Sequence, residues 1–114
     1  MSKYYARKVT YKGITFDSRK EYRYYRRLEL LEKAKEIKNI VLQPKFLLQD
    51  SFKAEINGKL KTHRKIHYIA DFQYFDCKLN KTIVVDVKGM KTDVYKLKVK
   101  LLLSKYPDIN FYEV

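Results

Sequence analysis

The chain is 114 residues long, the size of one domain with no room for a second core, and its 46% hydrophobic content argues against intrinsic disorder. Lys and Arg number 26 against 13 Asp and Glu, a net charge of +13 that points to a polyanionic partner: nucleic acid first, an anionic membrane surface second. Apolar runs such as Ile83-Val84-Val85 are too short for a membrane span, and the lone cysteine, Cys77, cannot close an internal disulfide, so a reducing cytosol is expected and no membrane insertion.

Residues 9–16 form two short β-prone pieces around a turn at Lys12-Gly13. Ser18 followed by Glu21 is a capping-box signature, so a helix is predicted from there to about Lys35. Tyr22, Tyr25, Leu28 and Leu31 lie in its register, and Arg19, Arg23, Arg26 and Arg27 place three guanidinium groups along one stripe. Residues 1–38 carry 12 basic and 5 acidic side chains, so this third is the main candidate for phosphate contact.

Residues 37–42 are β-prone or a loop, and Gln43-Pro44 interrupts regular structure because proline lacks a donor. Residues 45–49 suit a strand. The polar, basic segment 50–65 carries Asn57-Gly58, a strong hairpin turn signal. Ile66 to Cys77 is predicted as one long strand and Thr82 to Lys88 as a second, paired antiparallel around Lys78–Lys81. Asp93 to Lys105 is predicted as a second helix with Val94, Leu97, Leu101 and Leu102 on its apolar face, stopped before Pro107. Ile109 to Tyr112 is a last strand. The order implies an α/β fold: one mixed sheet with two helices packed against it.

Two of the few acids sit inside apolar strands, where an ionised carboxylate is costly without a partner: Asp71 in Tyr-Ile-Ala-Asp-Phe-Gln-Tyr and Asp86 in Ile-Val-Val-Asp-Val-Lys-Gly. Strand alternation sends Asp86 and Lys88 to one face and Val87 to the other. If the two strands pair, Asp71 and Asp86 become neighbours. A hard divalent cation such as Mg²⁺ relieves the repulsion of two carboxylates and suits phosphodiester hydrolysis, with Lys88 beside the growing negative charge. The plainer reading makes Asp86 and Lys88 a solvent-facing pair and Glu21 a cap only. His63 and His67 do not have the convergence of a zinc site, Cys77 has no triad, and the scattered glycines make no phosphate loop.

Asp71, a hairpin, and Asp86-Val87-Lys88, preceded by an acid on the first helix, resemble the PD-(D/E)xK nuclease superfamily. The ordered segments ITFDSRKEYRYY, QPKFLL, YIADFQYF, VVDVKGMKTDVYKLKVKLL and YPDINFYEV are similar to a family of small phage-encoded proteins of unknown function grouped with those nucleases. The resemblance covers residue 8 to the C-terminus. It implies a restriction-endonuclease-like core in a single nuclease-like domain over residues 1–114. It also implies metal ligation by Asp71, Asp86, Glu21 and the Val87 carbonyl, with Lys88 as catalytic lysine and Gln43 near the site. Mg²⁺ is the implied cofactor, with Mn²⁺ able to substitute. Tyr95 and Lys98 are expected to face DNA or the site, and Arg19, Arg23, Arg26, Arg27, Arg64 and Lys65 to hold the DNA backbone. The chain departs from the motif in Ala70, which replaces its proline, and in Asp86, which stands for the commoner glutamate.

The expected function is therefore a metal-dependent phage DNA endonuclease with 5′-phosphate products, acting in the host cytoplasm, on branched DNA such as a Holliday junction if it resembles the junction-resolving members. Two cuts at a junction would favour a homodimer. The rival expectations are a basic nucleic-acid-binding module without catalysis and an inhibitor of a host nucleic-acid enzyme.

Overall fold

The computed structural model describes residues 7–114. Among these residues lie ten strands and two helices in a mixed α/β arrangement. Strands β1 (Val9–Tyr11) and β2 (Ile14–Phe16) pair antiparallel across Lys12-Gly13, both of which have positive φ. Helix α1 (Arg19–Lys33) begins where the cap predicts: the Ser18 side chain accepts from the Glu21 N–H. It ends two residues earlier than expected. Lys35 turns left-handed at φ 61°, the Lys35 N–H donates to the Glu32 carbonyl, and the Glu36 N–H donates to the Leu31 carbonyl. That is a Schellman stop built on lysine where glycine is usual.

The central sheet has the order β10-β9-β8-β3, where β3 is Ile37–Leu42, β8 Phe72–Asp76, β9 Lys81–Asp86 and β10 Phe111–Glu113. Strands β8 and β9 form the predicted antiparallel hairpin, and β10 lies parallel to β9. Helix α1 covers one face of the sheet. Its Leu28 packs with Phe16, Ile37, Phe72, Ile83, Val85 and Val87, with Tyr22, Tyr24 and Tyr25 around them. Helix α2 (Asp93–Lys105), capped by Thr92, covers the other face.

The predicted long strand 66–77 is broken. It becomes β7 (Ile66–Ile69) and β8, separated at Ala70-Asp71. The cause is the opposing break at Gln43-Pro44 between β3 and β4 (Lys45–Gln49), where Gln43 takes φ 50°. The ladder survives the bend: the Gln43 N–H donates to the Asp71 carbonyl and the Ala70 N–H to the Pro44 carbonyl. Strand β8 stays in the central sheet, while β7 pairs with β4 beneath α2. Beyond β4, strands β5 (Phe52–Ile56) and β6 (Lys59–His63) close a hairpin on Asn57-Gly58, whose φ values of 55° and 75° are those of a type I′ turn.

The apolar face expected for α2 is corrected. Its buried side chains are Tyr95 and Leu102, with Val99 and the following Tyr106 packed against the same cluster of Leu48, Tyr68, Ala70 and Val84. Val94, Leu97 and Leu101 face outward, at 63%, 58% and 40% exposure. Hydrophobic residues lie on both sides of this helix, so its aliphatic count does not select the buried side. The anchoring of Tyr95 to β10, described below, does.

Candidate active site

Glu21, Gln43 and Asp71 come together at the bend formed by Gln43-Pro44 and Ala70-Asp71, while Asp86 and Lys88 lie at the end of β9. Asp71 sits between β7 and β8. Its N–H donates to the Val85 carbonyl at 3.2 Å, and its Oδ2 accepts from the Val87 N–H at 2.7 Å. Backbone bonds therefore tie Asp71 to the end of β9, next to Asp86. Burial pushes the Asp71 carboxyl above its ordinary value, against the lowering effects of the Val87 N–H and the Lys88 ammonium.

Asp86 ends β9 on the α2 side of the sheet and is 1% exposed. Neither of its carboxylate oxygens has a hydrogen-bond partner. Lys88 Nζ stands 3.5 Å from Oδ1, an ion pair too long for a well-formed hydrogen bond. Burial lifts the Asp86 carboxyl to about 6, with Lys88 opposing. A buried carboxylate without donors is rare in a folded protein, because each unmet oxygen keeps its desolvation cost.

Lys88 is positioned from several sides. Its N–H donates to the Val114 carbonyl, and its own carbonyl accepts from Lys20 Nζ on α1 at 3.1 Å. Its ammonium lies 4.4 Å from the Tyr95 ring centroid. The Tyr95 hydroxyl in turn donates to Glu113 Oε2 at 2.6 Å, and Lys91 pairs with the other oxygen at 2.9 Å. Tyr95 thus lies against Lys88 and is buried. Lys98, one turn on, is half-buried; burial first, then the Lys45, Lys65 and Lys98 ammoniums, hold the His67 imidazole below its usual value.

Glu21 lies in the first turn of α1. With Asp71 and Gln43 it lines a small cavity of about 110 Å³ closed by Ile14–Phe16, Leu42 and Phe72. Burial first, then the nearby Asp71 and Asp17 carboxylates, raise Glu21 to about 7. Gln43 holds its place there with the left-handed backbone that makes the bend. Glu21, Asp71, Asp86 and Lys88 are linked electrostatically through Asp71 and Lys88. They do not form a closed ligand shell: among the described residues no group of three or more His, Cys, Asp or Glu side chains is drawn together tightly enough to hold a metal. The donor set of Asp71 and Asp86 is all oxygen and anionic, which fits a hard divalent cation that keeps most of its waters.

The basic residues divide. Arg23 and Arg27 join Lys20 on the rim of a groove of about 620 Å³ along the α1 side of the sheet. Arg19, Arg64 and Lys65 are exposed. Arg26 is already committed: its Nε pairs with Glu29 at 3.2 Å, its terminal nitrogen donates to the Tyr22 hydroxyl, and its guanidinium lies 4.8 Å from the Tyr11 ring centroid. It joins α1 to β1 while its side chain stays 47% exposed. Sequence reasoning missed Lys20, Asp17 and Glu113. The register of β10 puts Glu113 directly beside Asp86, a parallel pairing across some 27 residues that no local pattern announces.

The family model described as "Protein of unknown function (DUF1064)" matches residues 1–114, so the chain belongs to that family. No curated protein and no solved structure matches it.

Proposed function

We propose that this member of the DUF1064 family is a Mg²⁺-dependent DNA endonuclease with a PD-(D/E)xK core. The observation that carries the reading is the Asp86 carboxylate: buried, without a hydrogen-bond partner, 3.5 Å from the Lys88 ammonium, and next in sequence to Val87, whose N–H donates to Asp71. A hydrophobic residue there would avoid several kcal/mol of desolvation, on the order of the cost of an unmet charged group.

Asp71 and Asp86, with the Val87 carbonyl, would hold the cation, and Mn²⁺ would serve in place of Mg²⁺. When bound, the ion supplies a Lewis acid for a phosphoryl oxygen and lowers the pKa of water. Lys88 holds positive charge beside Asp86, where charge grows on a phosphate under attack. Glu21, with a carboxyl near 7, can accept or release a proton at neutral pH. Lys20, Arg23 and Arg27 offer their charge to the backbone of a nucleic acid along the neighbouring groove. Branched DNA cut by a homodimer in the cytoplasm of a phage host is the fuller form of this proposal.

A basic binding module that keeps the fold is the second reading. It is favoured by the absence, among the described residues, of a three-ligand cluster. The two separate on cleavage of labelled four-way junction, flap, single-stranded and linear duplex DNA, each with Mg²⁺, Mn²⁺ or chelator. The nuclease reading expects metal-dependent cuts that fall by about 10²- to 10³-fold in Asp86→Ala, roughly the loss of one charge-stabilising group. Salt-sensitive binding without cleavage in either metal overturns it.

A further inference from the structure

We propose that the β5–β6 ribbon is a wedge for DNA whose base stack is interrupted, with Ile56 and Leu60 as the side chains that enter the gap. The proposal rests on the reading of the chain as a DNA-acting protein and does not require that it cut.

Four observations carry it. First, β5 and β6 pair with each other and pack against no other element among the described residues. The ribbon contributes nothing to either core cluster. Second, its tip is apolar. Ile56 directly precedes Asn57-Gly58 and Leu60 follows it after Lys59; they are 49% and 65% exposed, where loop tips normally carry polar side chains. Third, the register sets Ile56 across from Lys59 and Leu60 across from Glu55, so the two apolar side chains point to opposite faces of the ribbon. A tip that is greasy on one face suits a protein surface. A tip that is greasy on both faces suits insertion between two flat apolar partners. Fourth, Lys59 and Lys61 stand near that tip, with Lys53, Arg64 and Lys65 at the base of the ribbon, against only Asp50 and Glu55, which matches phosphates bordering the gap and running back along the ribbon.

Thickness then chooses the kind of DNA. A ribbon with side chains on both faces is about 10 Å thick, as the spacing of packed sheets shows. One step of an intact duplex rises about 3.4 Å. The tip therefore needs a stack that is already open, at a branch point or at a nick or bulge. The chemistry is common to these sources: two unstacked base faces bordered by phosphates. The stacked Phe52 and His63 rings, 4.9 Å apart and 14° from parallel, brace the base of the ribbon. From Gln43 at the candidate site to Ile56 the chain runs roughly 13 residues, so the tip stands at most about 43 Å away at 3.3 Å per residue. A cut would then fall within about 13 base pairs of the interruption.

The test uses the full chain and DNA carrying a fluorescent aminopurine beside a four-way branch, a nick, a bulge or no interruption, with Ca²⁺ in place of Mg²⁺. Wild type and Asp86→Ala should both brighten the probe at one or more of the interruptions and leave the intact duplex dark, and the brightest substrate names the source. Ile56→Ser/Leu60→Ser should remove the brightening and weaken binding to interrupted DNA by about 10- to 100-fold, the worth of one or two buried aliphatic side chains. Its affinity for intact duplex should change by less than about twofold, because that binding is carried by charge. Circular dichroism melting checks that the variant is folded. An unchanged probe in wild type overturns the wedge, as does brightening that survives the double substitution. So does a double variant that loses binding to anionic phosphatidylglycerol vesicles, or that dissociates a dimer in light scattering, while keeping its DNA affinity. Cleavage by wild type but not Asp86→Ala is read separately with Mg²⁺, so failure of the nuclease reading leaves its own signature.

Discussion

Asp86 concentrates the tension between stability and function in one carboxylate. Its folded value of about 6 lies above the ordinary carboxylate value of 3.8, so the folded protein holds a proton there that the unfolded chain has released. Stability from this group is thus present below about pH 4 and is lost as pH rises to about 6. The loss amounts to at most about 3 kcal/mol. We expect Asp86→Asn to unfold at higher temperature than wild type at pH 8 in chelator, with a flatter profile between pH 4 and 7. Mg²⁺ should raise the melting temperature of wild type at pH 8 and leave that of Asp86→Asn unmoved. Parallel pH profiles for the two proteins would show that Asp86 is not the costly group. Glu21, raised to about 7, adds a loss of the same sign between about pH 4.5 and 7.

At the scale of the element, both helices show how an end or a face is decided. Lys35 adopts a left-handed conformation to stop α1, at φ 61°. Lys35→Gly keeps the Schellman bonds and removes the Cβ clash, so it should stabilise the protein by about 1 kcal/mol in urea unfolding. For α2 the structure makes a sharper claim. Leu102 is wholly buried and Leu97 is 58% exposed, although both are leucines on one predicted stripe. Leu102→Ala should cost about 2–5 kcal/mol, and Leu97→Ser within about 0.5 kcal/mol of nothing. Equal losses would return the helix to the orientation its aliphatic pattern suggests.

The whole molecule is extended. Its radius of gyration is 17.1 Å, where a compact chain of this length has about 13 Å. Its long axis is 59 Å, and the β5–β6 ribbon stands apart from both cores. A chain in which residues 50–65 are replaced by Asn-Gly, joining Gln49 to Ile66 by a tight turn, should keep its cooperative unfolding within about 1 kcal/mol. Five of the 26 basic residues leave with that segment against two acids. The slope of log affinity for duplex DNA against log salt should become shallower by up to about 4, near 0.9 for each phosphate no longer neutralised. An unchanged slope would place the phosphate-binding charge elsewhere, on Lys20, Arg23 and Arg27.

Local chemistry alone determined a good deal of this protein. The Ser18 cap, the Lys12-Gly13 and Asn57-Gly58 turns, the β8–β9 hairpin and the start of α2 all depend on residues within a few positions of one another, so their signals are complete in short stretches. The candidate acids Asp71 and Asp86 were visible because a charge inside an apolar strand is anomalous at any range. Tertiary structure decided the rest. The break at Ala70-Asp71 is imposed by Gln43-Pro44 on the paired strand, and the buried side of α2 by the bond from Tyr95 to Glu113. The contact of Arg26 with the Tyr11 ring joins α1 to β1. Each of these joins residues some fifteen or more positions apart, or two elements whose pairing must exist before the contact can form. A pattern read along one strand or one helix carries the periodicity of that element and no record of what packs against it.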